Sequence, residues 1–154
     1  MTEPVRGVAP YAAAAEDAAA RGLAVEFVSR TPGERPAPLP GVELVKTIVV
    51  QAKDRHVLVL TPVDEQFSWA KLRALLGVNR LSLPDAEGAL AATGYARGTI
   101  TPLGARGSWP VVIDARLAGR RIAIGSGSPA HGALVDADAL AAAYSATVAD
   151  LAAE

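Results

Sequence analysis

Leu44-Val45-Lys46-Thr47-Ile48-Val49-Val50 is a run of branched apolar residues that contains one charge and no breaker. Such a run reads as a β-strand. Side chains on a strand alternate between its faces, so Lys46 shares a face with Leu44, Ile48 and Val50. A lysine on an apolar face is costly unless its ammonium reaches water or an anion. Two readings follow. Either Lys46 sits near a strand end and snorkels to solvent, which this stretch alone favours, or it floors a cleft that takes a negatively charged ligand. The remaining chain decides between them.

The chain has 154 residues, of which 51% are hydrophobic and 20% charged. That suits one globular domain with a real core and not a disordered chain. The absence of cysteine removes disulfides, thiolate nucleophiles and cysteine-ligated zinc or iron–sulfur centres. His56 and His131 are the only histidines and lie far apart, so no histidine-rich metal site is expected. The net charge of -1 argues against coating long duplexes and leaves room for a small nucleic-acid footprint with a local arginine patch. Met1-Thr2-Glu3-Pro4 lacks a basic segment leading into an apolar core, so no secretory signal is expected. No apolar run is long enough to span a bilayer. The expected compartment is the cytoplasm.

Outward from the opening strand, Lys53-Asp54-Arg55 reads as a hairpin turn and His56 to Thr61 as the returning strand. Upstream, Tyr11 to Arg21 reads as a helix between Pro10 and Gly22. Leu23 to Ser29 alternates like a strand, and Thr31 to Gly41, with Pro32, Pro36, Pro38 and Pro40, reads as an irregular loop. Downstream, Ser68 caps a helix through Leu76, closed by Gly77, with Trp69, Leu72, Leu75 and Leu76 on its apolar face and Trp69 as core packing. Val78 to Leu83 reads as a short strand. Pro84 and Asp85 open a second helix that ends near Thr93-Gly94. Trp109 to Asp114, Arg120 to Ile124 and Leu134-Val135 read as strands. Asp136 or Asp138 caps a C-terminal helix, and Val148 to Ala153 adds an amphipathic turn or two. Without regular βαβα alternation, a doubly wound parallel sheet is disfavoured. The fold class is mixed α+β: one domain over residues 1–154, with a curved, barrel-like, mixed or largely antiparallel sheet and helices packed around it.

Two glycine loops are the places for chemistry. In Gly94 to Gly104, Gly98 and Pro102 bracket a tight segment whose backbone N–H groups could line a concave site, binding an anion or polarising a carbonyl; a rigid surface turn is the plainer account. Gly125 to Gly132 fits a loose G-x-G-x-x-A dinucleotide fingerprint. The required second parallel strand and the acidic residue about 20 positions on are missing, so that reading is rejected. No G-x-S-x-G elbow exists. Ser126 or Ser128 with His131 reads as loop hydrogen bonding and not as a dyad. No acidic residues pair in one cleft; Asp114, at a strand end, is the one that could turn inward. Arg73, Arg80, Arg97, Arg106, Arg120 and Arg121 could supply a phosphate-binding rim or simply a surface.

Val45 to Val50, Leu72 to Gly77, and Thr93-Gly94-Tyr95 running into Gly98-Thr99-Ile100-Thr101-Pro102-Leu103-Gly104 together resemble the YbaK/EbsC family. The likeness continues through Pro110 to Asp114, the glycine loop after Ile124 and the C-terminal helix, covering nearly the whole chain. These aminoacyl-tRNA deacylases are related to the editing domain of bacterial prolyl-tRNA synthetase. The resemblance implies hydrolysis of the ester joining a wrong, small amino acid to the terminal adenosine of a tRNA, often tRNA for proline. It implies no metal or cofactor. The implied partners are the acceptor end of aminoacyl-tRNA and, beyond it, an aminoacyl-tRNA synthetase. It implies Lys46, Gly98 and Pro102 as catalytic positions, with Lys46 an electrostatic anchor and Gly98 to Pro102 the wall holding the aminoacyl group. Thr47, Tyr95, Thr99, Ile100, Thr101, Gly125, Ser126, Gly127 and His131 are the implied substrate contacts. Where family members often carry a short helix before the lysine strand, this chain has the proline-rich Thr31 to Gly41. An activated ester needs only a positioned water or substrate hydroxyl and a stabilised oxyanion, so a site with no triad is consistent with this chemistry. The rival readings are a non-catalytic module that binds tRNA ends, a nucleotide or a synthetase, and an esterase for small esters.

Overall fold

The computed structural model describes residues 10–32, 34 and 39–153; Met1 to Pro4, and Pro36 and Pro38 of the proline-rich segment, lie outside them. One seven-stranded sheet organises the described residues. Its strands are β1 (Glu26–Ser29), β2 (Val42–Ala52), β3 (Arg55–Pro62), β4 (Val111–Asp114), β5 (Arg121–Gly125), β6 (His131–Asp136) and β7 (Thr147–Ala149). They lie in the order β1-β6-β5-β2-β3-β4-β7. Pairing is antiparallel for β1–β6, β5–β6 and β2–β3, and parallel for β2–β5, β3–β4 and β4–β7. The sheet is therefore mixed, and it is open, with β1 and β7 as its ends.

The opening strand is the joint of this sheet. Val42 to Leu44 pair with β5, and Val45 to Ala52 pair with β3. Apolar residues on both faces let it serve two cores. Val45 and Val49 enter the larger core with Leu58, Leu60, Ile122 and Ile124. Val50 enters a smaller one with Val57, Val59, Leu72 and Leu151. Successive residues of β3 alternate between the two cores, which is why it reads as an unbroken apolar run.

Helices α1 (Ala12–Ala20), α2 (Trp69–Leu76), α3 (Ala86–Thr93) and α4 (Ala137–Tyr144) complete the layers. The Ser68 hydroxyl accepts from the Lys71 N–H at the start of α2, and Asp85 does the same for Gly88 at the start of α3. Gly77 and Gly94 end these helices in the left-handed region.

Three expectations are corrected. Val78 to Leu83 is not a strand: Ser82 alone bridges Gln51, and Leu83 is 59% exposed before a proline that lacks an N–H. Val148 to Ala153 is not helical. Thr147 and Val148 extend along the open edge of β4 as β7, and Leu151 is buried in the smaller core. Leu75 is 40% exposed while Leu72 is fully buried. At about 100° per residue, Leu75 lies roughly 120° round the helix from Trp69, off the packed face. Trp69 packs on the smaller core, tilted against Phe67 at 4.8 Å.

Candidate functional site

On the sheet half made by β1, β6, β5 and β2, the face turned away from the larger core is open. Register aligns Leu44 with Ala123 and Ala123 with Leu134, and Gly125 with Gly132 and Gly132 with Val28. Lys46 lies one pleat beyond Leu44 on that face. These residues floor a cavity of about 950 Å³ whose walls include Arg30, Thr31, Glu34 and Leu39 on one stretch and Arg97, Gly98, Thr99 and Ile100 on another. Its size is within the range of small-molecule and cofactor sites.

The glycine at 125 fixes the second wall. A Cβ there would sit 2.5 Å from the Ile100 carbonyl oxygen and 3.0 Å from that of Thr99, so only glycine lets the two backbones close. The Gly127 N–H donates to the Thr99 carbonyl at 2.9 Å. Gly127 also lies under the Tyr95 ring, where a Cβ would approach ring carbon to 2.5 Å. The two glycine loops are thus one interlocked unit. The Tyr95 hydroxyl donates to the Leu103 carbonyl at 2.6 Å, and the Gly104 N–H donates to Asp17 at 3.0 Å. Burial, and then the Asp17 charge, push the Tyr95 phenol above its ordinary 10.0, so it stays a hydrogen donor.

Within that unit some donors are used and others are left over. The Thr99 N–H and hydroxyl both turn back to the Ala96 carbonyl, at 2.9 and 2.7 Å. The N–H groups of Gly98 and Ile100 have no hydrogen-bond acceptor among the described residues. Neither does the ammonium of half-buried Lys46. The Thr47 hydroxyl oxygen is buried without a partner among the described residues. Backbone donors beside a cation make an arrangement suited to an anion or a developing oxyanion.

Lys46, Thr47, Gly98, Thr99, Ile100 and Gly125 therefore meet at one cavity. The other residues named from the sequence stand behind it or beside it. Thr101 is fully buried and its hydroxyl accepts from the Leu103 N–H at 3.2 Å. Pro102 faces a separate, smaller cavity of about 360 Å³ bordered by Asp17, Arg21 and Tyr144. Tyr95 and Gly127 interlock the loops. Ser126 is fully buried and donates to the His131 carbonyl at 2.8 Å. Ser128 Oγ pairs with His131 Nδ1 at 2.9 Å, and the His131 ring meets Tyr11 edge-on at 4.9 Å. Asp114 does turn inward, fully buried, but it pairs with Arg116 at 2.6 Å and caps the following turn, away from the cavity residues.

Sequence reasoning missed Arg30, Glu34, Leu39 and Val63 as cavity residues. Arg30 carried a weak signal, a cation closing an alternating strand just before the proline-rich loop. Among the described residues no cluster of three or more metal-ligating side chains occurs, and no helix is long and apolar enough to cross a membrane.

A family model described as "Aminoacyl-tRNA editing domain" matches residues 12–143. The chain is 34% identical over 67 residues to the proline–tRNA ligase of Thermosipho africanus; the match spans 44% of this chain and 12% of the ligase. Its fold is similar to that of a crystal structure proposed to be a trans-editing enzyme for prolyl tRNA synthetase, with a TM-score of 0.84 and 22% identity over 94% of this chain and 98% of the other. It is similar at TM-score 0.83 and 22% identity, over 94% and 97% of the two chains, to a scaffold protein used for epitope grafting.

Proposed function

The chain belongs to the aminoacyl-tRNA editing domain family, and from that premise we propose that it is a trans-editing deacylase that hydrolyses the ester of mischarged tRNA, with a small wrong amino acid on tRNA for proline or a related tRNA as its substrate. The observation that carries this reading is the meeting, in one cavity, of Lys46 with the N–H groups of Gly98 and Ile100, none of which has a partner among the described residues.

Water, oriented by the neighbouring ribose hydroxyl, attacks the ester carbonyl carbon and gives up a proton that ends on the leaving ribose oxygen. The carbonyl oxygen becomes an oxyanion, and the bond to the ribose oxygen then breaks to release the amino acid. The Gly98 and Ile100 N–H groups are the donors for that oxyanion, pre-aimed by the locks at Gly125 and Gly127. Lys46 supplies positive charge where the wall limits water access, so its attraction is stronger than at an open surface. It anchors the substrate's end and has no covalent role. Tyr95, Thr101, Pro102, Ser126 and His131 act by holding the two loops in place.

The test is deacylation of a panel of mischarged tRNAs by the protein and by Lys46→Ala. A fall in kcat/KM of about tenfold to 10²-fold, the scale of one lost contact from a charged group to the substrate's end, is expected on whichever substrate is turned over. Full activity in the lysine variant defeats the role of Lys46. Tight binding of aminoacyl-tRNA with its ester left intact replaces the enzyme by a binding module.

A further inference from the structure

We propose that Arg30, with Arg97 beside the same cavity, is the recognition site for the phosphodiester that leads into the terminal nucleoside, so that the cavity reads a nucleotide chain and not a nucleoside alone. This rests on the reading of the cavity as a tRNA-end site.

Arg30 follows the last residue of β1, and its backbone N–H donates to the Ala130 carbonyl at 2.9 Å, which fixes the residue against the turn before β6. One end of its guanidinium donates to the Glu34 carbonyl at 3.3 Å. Its Nε–H is buried and has no acceptor among the described residues. A buried donor of a charged group left without a partner is costly, and the residue that carries it lines a ligand-sized cavity. The guanidinium offers a fork of donors that matches two oxygens of a phosphate.

Charge points the same way. The chain carries a net charge of -1, yet among the described residues the cavity gathers Arg30, Lys46 and Arg97 against a single acid, Glu34. Arg97 is exposed, and its one contact among the described residues is a long one, 3.4 Å, to the Pro84 carbonyl. Lys46 and the Gly98–Ile100 backbone are committed to the ester end in the mechanism above. The two arginines are then left for the anionic group that every nucleotide substrate carries next to its terminal ribose. At about 950 Å³ the cavity is at the upper end of ordinary ligand sites, with room for more than an amino acid.

The experiment compares binding of the trinucleotide cytidylyl-cytidylyl-adenosine with binding of adenosine, by calorimetry over a range of salt, for the unaltered protein, Arg30→Ala, Arg30→Lys and Arg97→Ala. Arg30→Ala is expected to weaken the trinucleotide about tenfold or more, the loss of a charge-assisted fork, and to leave adenosine unchanged. Its slope of log K against log salt should fall by about 0.7, one phosphate on a single strand. Arg30→Lys keeps the charge and loses the fork, so it recovers the slope but only part of the affinity. Arg97 is exposed, so Arg97→Ala tests the site without threatening the fold; it should weaken the trinucleotide less and leave adenosine unchanged. Equal weakening of both probes by Arg30→Ala, an unaltered slope, or no binding of the trinucleotide by the unaltered protein overturns the proposal. Deacylation measured in parallel separates it from the reading beneath it. A phosphate-specific effect without ester hydrolysis keeps the site and removes the enzyme. Hydrolysis of charged tRNA with an unchanged KM in Arg30→Ala keeps the enzyme and removes the site.

Discussion

Replacing Gly125 with alanine should break the interlock that forms the cavity wall. The added Cβ would stand 2.5 Å from the Ile100 carbonyl oxygen, and ordinary contacts begin at 3.4 Å, so one backbone must retreat by about 0.9 Å. The obstacle is main chain and not the tip of a flexible side chain, so rotation cannot relieve it. The φ at this position is not in the left-handed region, so the whole effect is steric. Overpacking of this kind costs about 1–3 kcal/mol. A displacement near 1 Å at a reacting centre can cost about 10²-fold in rate, and here the displaced atoms adjoin the Ile100 N–H. Gly132, the register partner of Gly125, is the stability control: a Cβ there meets only ordinary contacts, at 3.7 and 3.8 Å, and should change stability by less than about 1 kcal/mol, since substitution at an unstrained glycine site mainly restricts the unfolded chain. Denaturant unfolding and deacylation of a mischarged tRNA measure the two effects. Gly125→Ala with unaltered stability and turnover, or equal destabilisation by Gly132→Ala, refutes the steric interlock.

Arg116→Ala should destabilise by about 3 kcal/mol, because it leaves the Asp114 carboxylate fully buried without its cation. Glu65→Ala, at the exposed end of the same arginine, should cost less than about 1 kcal/mol; denaturant midpoints compare the two. Burial raises the Asp17 pKa, but hydrogen bonds from the Tyr144 hydroxyl, the Gly104 N–H and Arg21 outweigh it and hold the carboxyl below its ordinary 3.8. A depressed carboxyl stabilises the fold above the unfolded value and loses that contribution as the carboxylate protonates, so unfolding should ease as pH falls below 3.8. Tyr144→Phe should make that acid dependence shallower and cost about 1 kcal/mol, read from melting curves between acid and neutral pH. An unchanged acid limb would remove Tyr144 as the partner that depresses Asp17. At the other end of the scale, burial and then the hydrogen bond to Asp17 raise the Tyr144 phenol above 10.0. Its contribution is complete below 10.0 and lost as pH rises through the raised value.

Much of this protein is legible in local pattern. The apolar run from Leu44 to Val50, the turn at Lys53-Asp54, the caps at Ser68 and Asp85 and the stops at Gly77 and Gly94 depend on backbone preference and on neighbours a few residues away, so the sequence alone determines them. It also determines that Lys46 stands on the face of Leu44, because strand alternation requires nothing distant. The tertiary structure decided what that face confronts. Whether Lys46 reaches bulk water or a walled cavity depends on Ala123, Gly125 and Leu134 lying beside β2 and on Gly98 to Ile100 closing over them, and those pairings span about half the chain. Thr147 and Val148 became a strand because β4 left an edge to fill, which local propensity cannot register. The roles within the loops were decided the same way. Gly125 and Gly127 look alike in the sequence, yet one is reserved for a backbone crossing and the other for a tyrosine ring, and only the packed neighbours distinguish them.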